Sequence, residues 1–120
     1  MKQAKIIQAY ELTDKLGEQT NISNKGKWVI FKLRKDLLPA YEFTSESYVE
    51  LYKKHNGTTD GDKIKFETPE IAQAFVNDLN ELADLDTELD FSKQELSLND
   101  IPDITVHEIE ILDDFITFTE

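Results

Sequence analysis

A chain of 120 residues with 13 Lys/Arg, 25 Asp/Glu and a net charge of −12 fits one domain with a modest core. It has no cysteine, which excludes disulfides and thiolate metal sites and leaves the cytoplasm as the default compartment. No apolar run approaches the ~18 residues of a membrane span, and residues 1–16 lack the apolar stretch of a secretory signal, so neither a membrane nor export is expected.

The charge is uneven. Residues 1–57 carry ten Lys/Arg and seven Asp/Glu, a balance of +3, whereas residues 58–120 carry three and eighteen, a balance of −15. A charged fraction of 32% against 39% hydrophobic residues predicts a thin or elongated shape.

Residues 2–16 read as a helix. Ile6, Ala9, Tyr10, Thr13 and Leu16 share one face, and Gly17 is a stop. A polar connector follows over 18–26. A second helical run starts near Ser23 or Lys27 and continues to about His55. Its stripe is Ile30, Leu33, Leu37, Tyr41, Thr44, Tyr48 and Leu51, at steps of three and four. The stripe keeps its phase through Pro39, which favours one long kinked helix, with two helices broken at the proline as the alternative. At ~1.5 Å per residue it spans about 45 Å, so it is expected to pair with the first helix as a hairpin.

Asn56-Gly57 ends this helix, and residues 58–61 are expected to turn into a strand over 63–67, where charged and apolar residues alternate. Thr68-Pro69-Glu70 opens a helix, with threonine at the cap and proline in the first turn. Ile71, Phe75, Leu79 and Leu82 form its stripe. The period then returns to two: Leu85, Thr87, Leu89 and Phe91 alternate with Asp84, Asp86, Glu88 and Asp90, which predicts a second, acidic-faced strand. A helix between two strands makes them parallel if they are neighbours, and a third strand near Leu96 or Thr117 would complete the sheet. Ile64, Phe66, Ile71, Phe75, Leu79, Leu82, Leu89 and Phe91 are expected to share one buried cluster. Leu96, Leu98, Ile101 and Ile104 are spaced apolar anchors. Thr105 and Glu108 form a capping box for a last helix faced by Ile109, Leu112, Phe115 and Ile116, with residues 117–120 fraying.

The fold class expected is therefore α+β, mainly α, in a single domain over 1–120. Residues 1–57 form the helical hairpin. Residues 58–120 hold a small strand–helix–strand module and a short C-terminal helix.

This layout, with the Lys-Lys-His-Asn-Gly stop at 53–57, the Gly-Asp-Lys-Ile-Lys-Phe strand at 61–66, the helix from Phe75 to Leu82 and the segment Ile109 to Ile116, resembles a family of small uncharacterised proteins encoded by phages and prophages of Gram-positive bacteria. The resemblance covers about residues 6–116 and rests on layout and residue classes. It implies a viral or prophage origin and a place in the cytoplasm of the host bacterium or on the virion. It implies no activity and transfers no catalytic residues.

Four constellations bear on function. Asn56 to Glu67 has the outline of a calcium loop, with Asp60-Gly61 at its fifth and sixth positions and Glu67 at its twelfth, but too few oxygen ligands, so a plain turn and strand is the better account. Asp84, Asp86, Glu88 and Asp90 would stand about 6.6 Å apart along one strand face, too far for neighbours to share an ion. Lys63 and Lys65 would neutralise part of that acidic face across the sheet. Lys25, Lys27, Lys32, Arg34 and Lys35 surround Trp28 and Phe31, a pattern that can hold single strands, but a pI near 4.5 argues against nucleic-acid binding. His55 and His107 have neither a serine nucleophile nor a metal-ligand partner in pattern, and the four glycines read as turn or stop residues.

No catalytic, cofactor-binding or metal residue is therefore expected, and no cofactor. The function expected is that of a non-enzymatic accessory protein that contacts another protein, viral or host, with virion assembly among its settings. Trp28, Phe31, Phe43, Tyr52 and Phe118 are the candidate contacts, being aromatics not needed for the helical stripes. The alternative is an acidic nucleic-acid mimic that inhibits a host defence nuclease through Asp84, Asp86, Glu88 and Asp90.

Overall fold

The computed structural model describes residues 1–120, apart from the side chain of Asp60. Two long helices set its shape: α1 (Gln3–Gly17) and α2 (Asn24–Lys54) run antiparallel and stretch the molecule to 52 × 31 × 21 Å. The α1 face predicted from sequence is the buried one: Ile6, Ala9, Tyr10, Thr13 and Leu16. It meets Val29, Ile30, Leu33, Leu37 and Ala40 of α2. Tyr10 and Tyr41 stack with ring centroids 4.1 Å apart, and the Arg34 guanidinium lies 4.4 Å above the Tyr10 ring.

Ser23 caps α2 by accepting from the Gly26 N–H. Pro39 does not break the helix, which is one element from Asn24 to Lys54. Proline leaves the Lys35 carbonyl without its donor, but the stripe continues past it through buried Ala40 and half-buried Tyr41, Thr44, Tyr48 and Leu51. Asn56, at φ 54°, ends the helix in the left-handed conformation. Gly26 is not a connector residue. It lies in the first turn of α2, where a Cβ would stand 2.7 Å from the Asp100 carbonyl oxygen.

The expected module is redrawn in three ways. First, residues 58–60 are not only a turn. β1 (Thr58–Asp60) and β2 (Lys63–Lys65) form an antiparallel hairpin closed by Gly61 at φ 65°. Second, residues 85–91 do not form a strand beside β2. They run extended after α3 (Pro69–Ala83), joined to the chain start by one antiparallel bridge, Lys2 to Asp86. Lys63 and Lys65 therefore lie in the hairpin and not opposite the acidic segment. Third, the parallel pair is made by the two segments suspected of supplying a third strand. β3 (Gln94–Ser97) pairs with β4 (Ile116–Thr119), Gln94 opposite Ile116. Residues 117–119 are thus strand, not a frayed end. The crossover between β3 and β4 holds a 3-10 turn (Leu98–Asp100) and α4 (Val106–Leu112), whose capping box at Thr105 and Glu108 is present.

The apolar residues divide accordingly. Leu96, Ile101, Leu112, Phe115 and Ile116 join the helical hairpin in one core, with Leu89 and Phe91 packed against it. Phe115 and Ile116 lie beyond the end of α4 and reach the core from a turn and a strand. Phe75 is buried in a separate cluster with Phe66 at 4.8 Å and Tyr48 at 5.6 Å between ring centroids. Ile64 is exposed. The single cluster expected for residues 64–91 is therefore two, because the predicted acidic strand packs on the hairpin helices instead of on β2.

Candidate functional site

An amphipathic helix buries one stripe and hydrates the rest, so large apolar groups outside the stripe need an explanation. On α2, Trp28 and Phe31 are 59% and 56% exposed, and their ring centroids lie 5.7 Å apart. Leu38, 37% exposed, is one further heptad step on from Phe31 and continues the same outward stripe. Phe31 stands between two shallow depressions. One, of about 350 Å³, lies against Gly17, Lys27 and Ile30, and the other, of about 290 Å³, against Tyr10, Arg34 and Leu38.

The rim of this face is basic. Arg34 is committed to Asp14 at 2.6 Å, and Lys32 to Asp36 at 3.7 Å. Lys27 and Lys35 are exposed and have no ion-pair partner among the described residues. An apolar anchor pair flanked by two unpaired ammonium groups fits a partner that offers a hydrophobic recess bordered by carboxylates.

The other candidate contacts lie elsewhere. Phe43 is 49% exposed on a different side of α2. Tyr52 is half-buried against Phe66, 6.4 Å between ring centroids, and crowds Gly57, so it packs the hairpin down. Phe118 is half-buried against the core from β4. These two are packing residues and not free anchors.

The acidic segment has its own geometry. Asp84, Asp86, Glu88 and Asp90 are all exposed. The Lys2 ammonium meets Asp84 at 3.3 Å, and the N-terminal ammonium lies 3.9 Å from Asp86. Glu88 and Asp90 have no ion-pair partner among the described residues. Between this segment and α2 lies a groove of about 580 Å³. Its floor is apolar, with Pro39, Ala40, Phe43, Leu85 and Leu89, and Asp36 and the acidic segment form its walls.

Gln3 holds the groove together, and its sequence context gave no sign of this. It is buried at 1% exposure. Its Nε2 donates to the Ala40 carbonyl oxygen at 2.7 Å and to the Thr44 hydroxyl, while its Oε1 accepts from the Thr87 hydroxyl. One amide thus joins α1, α2 and the extended segment. Leu38, by contrast, was visible in principle, because Trp28, Phe31, Lys35 and Leu38 step by three, four and three.

Two carboxyl groups are shifted by the contacts they make. His55 Nε2 lies 2.7 Å from Asp78 Oδ2, linking the end of α2 to α3. That hydrogen bond, assisted by Lys54, holds the Asp78 carboxyl below its ordinary range. Burial pushes the Glu108 carboxyl up, but the Thr105 N–H and the Lys15 ammonium, 3.0 Å away, outweigh it and hold the carboxyl low. His107 is exposed. No group of three or more metal-ligating side chains occurs among the described residues, and the calcium-loop outline is occupied by the β1–β2 hairpin. The Asp60 side chain, one of its nominal ligands, lies outside the described residues. No helix is long and apolar enough to cross a membrane among the described residues.

No family model matches the chain, and no curated protein or solved structure matches it.

Proposed function

We propose that this chain acts without catalysis, as an accessory protein that docks another protein on the N-terminal half of α2. The observation that carries the reading is the exposed pair Trp28 and Phe31, aligned with Leu38 and bordered by unpaired Lys27 and Lys35. Burying two such aromatics supplies the few anchors on which most interface energy rests. The phage or prophage setting, with virion assembly among its uses, comes from the sequence resemblance and belongs to the same proposal.

The test is affinity capture from a phage-infected host, followed by titration of the captured protein against variants. Trp28→Ala and Phe31→Ala each weaken binding by more than about tenfold, the usual loss for a central aromatic anchor. Replacing Asp86, Glu88 and Asp90 with Asn, Gln and Asn changes it by no more than about threefold, less than ~1 kcal/mol. Capture that survives both aromatic changes defeats the proposal.

A second reading, the acidic nucleic-acid mimic, draws on one observation: Glu88 and Asp90 are exposed and unpaired, with Lys63 and Lys65 too far along the chain's own hairpin to answer them. Under that reading the triple carboxylate change abolishes binding, and wild-type affinity falls steeply with salt.

A further inference from the structure

Residues 85–90, which line the groove together with α2, carry an open backbone edge. The Gln3 N–H donates to the Leu85 carbonyl at 2.8 Å, and the Thr87 N–H donates to the Met1 carbonyl at 2.8 Å. Successive residues of an extended chain point their backbone groups to opposite sides. The Leu85 carbonyl and both Thr87 backbone groups are therefore spent on the chain start, while the Leu85 N–H donates to the Leu82 carbonyl, and the groups of Asp86 and Glu88 point the other way. The latter carry no backbone hydrogen bond among the described residues. Natural proteins usually cover or blunt such an edge. Here it runs beside an apolar floor containing the exposed Phe43.

We propose that this groove takes an extended, lysine- or arginine-bearing segment of a partner protein, added as a strand along Asp86–Glu88. The backbone edge supplies the hydrogen bonds, Phe43 and Leu89 take an apolar side chain, and the unpaired Glu88 and Asp90 take the alternating cations. Charge selects the occupant. Nucleic acid and acidic peptides are repelled by the carboxylate walls. The strand of this chain that alternates lysine with an apolar residue, β2, is three residues long and already paired with β1 along one edge, so a second copy offers less than a longer basic segment. Gln3 holds the wall in place through Thr87 and Ala40, so the edge is preorganised. This inference stands whether or not the Trp28–Phe31 face has a partner.

The test uses a capped, fluorescent eight-residue peptide that alternates lysine with valine, titrated into the full chain by polarisation. Saturable binding in the micromolar range is expected. An analogue N-methylated at alternate amides keeps every charge but loses its backbone donors, and it binds at least about tenfold more weakly. Phe43→Ala and the double change Glu88→Gln with Asp90→Asn each weaken the parent peptide by about tenfold. Glu50→Gln with Glu81→Gln removes the same charge away from the groove and leaves affinity within about twofold. Circular dichroism confirms that each variant is folded. Absence of saturable binding up to about 1 mM, equal binding of the methylated analogue, or equal losses from both carboxylate pairs overturns the proposal.

Discussion

The amide of Gln3 lies two residues from the chain start, where substitutions are usually tolerated. The structure predicts the opposite. Gln3 is buried, and its side chain makes three hydrogen bonds, to the Ala40 carbonyl, the Thr44 hydroxyl and the Thr87 hydroxyl. Gln3→Leu keeps nearly the same volume and removes all three. At a net ~0.5–1.5 kcal/mol each, the loss is about 1.5–4.5 kcal/mol. Thr44 can recover a bond to the Ala40 carbonyl one turn back, and burying leucine returns about 1–1.5 kcal/mol. The expected net cost is about 2 kcal/mol, or a fall of about 5–10 °C in melting temperature for a domain of this size. Urea denaturation followed by circular dichroism measures it. A double-mutant cycle with Thr87→Val isolates the bond across the groove and should show coupling of about 1 kcal/mol. A leucine variant as stable as the wild type, or two changes that simply add, would refute the role given to this amide.

Three further outcomes follow from the same structure. Phe75→Ala empties the centre of the second aromatic cluster and costs about 3 kcal/mol by denaturant titration, the lower end for a buried phenylalanine because the cluster is small. Thr105→Ala removes the hydroxyl that accepts from the Glu108 N–H and lowers stability by about 1 kcal/mol, read as a shift in urea midpoint. The Asp78 carboxyl is held below its ordinary value of 3.8 by His55, so its contribution is complete above that value and is lost as pH falls through the lower folded one. Stability between about pH 4 and pH 2 should therefore drop less in Asp78→Asn than in the wild type, measured by melting across that range. An identical acid profile would show that the His55–Asp78 contact does not persist in solution.

Local signals in the chain determined the helices and most of their ends. Ile6 to Leu16 at helical spacing, Thr68 at a cap, Asn56 at a left-handed stop and Thr105 with Glu108 as a capping box act within one or two turns of backbone, so no distant contact was needed to read them, whereas the same signals place the start of α2 only between Ser23 and Lys27 and carry the last helix past Leu112. The exposure of Trp28 and Phe31 was legible for the same reason, since they fall off a stripe that the helix itself defines. Strand pairing was not legible. Leu85 to Phe91 alternate as well as any strand, but alternation says only that one side of the segment is covered, not by what. In the fold that side lies on the hairpin helices, and the shorter, less regular segments at 94–97 and 116–119 pair instead. The same limit hid Gln3, whose neighbours Ala40, Thr44 and Thr87 are distant in sequence. Periodicity is a property of one element against an unspecified surface. Which surface is used depends on long-range packing that buries the most apolar area while satisfying every buried polar group, and only the tertiary structure decides that.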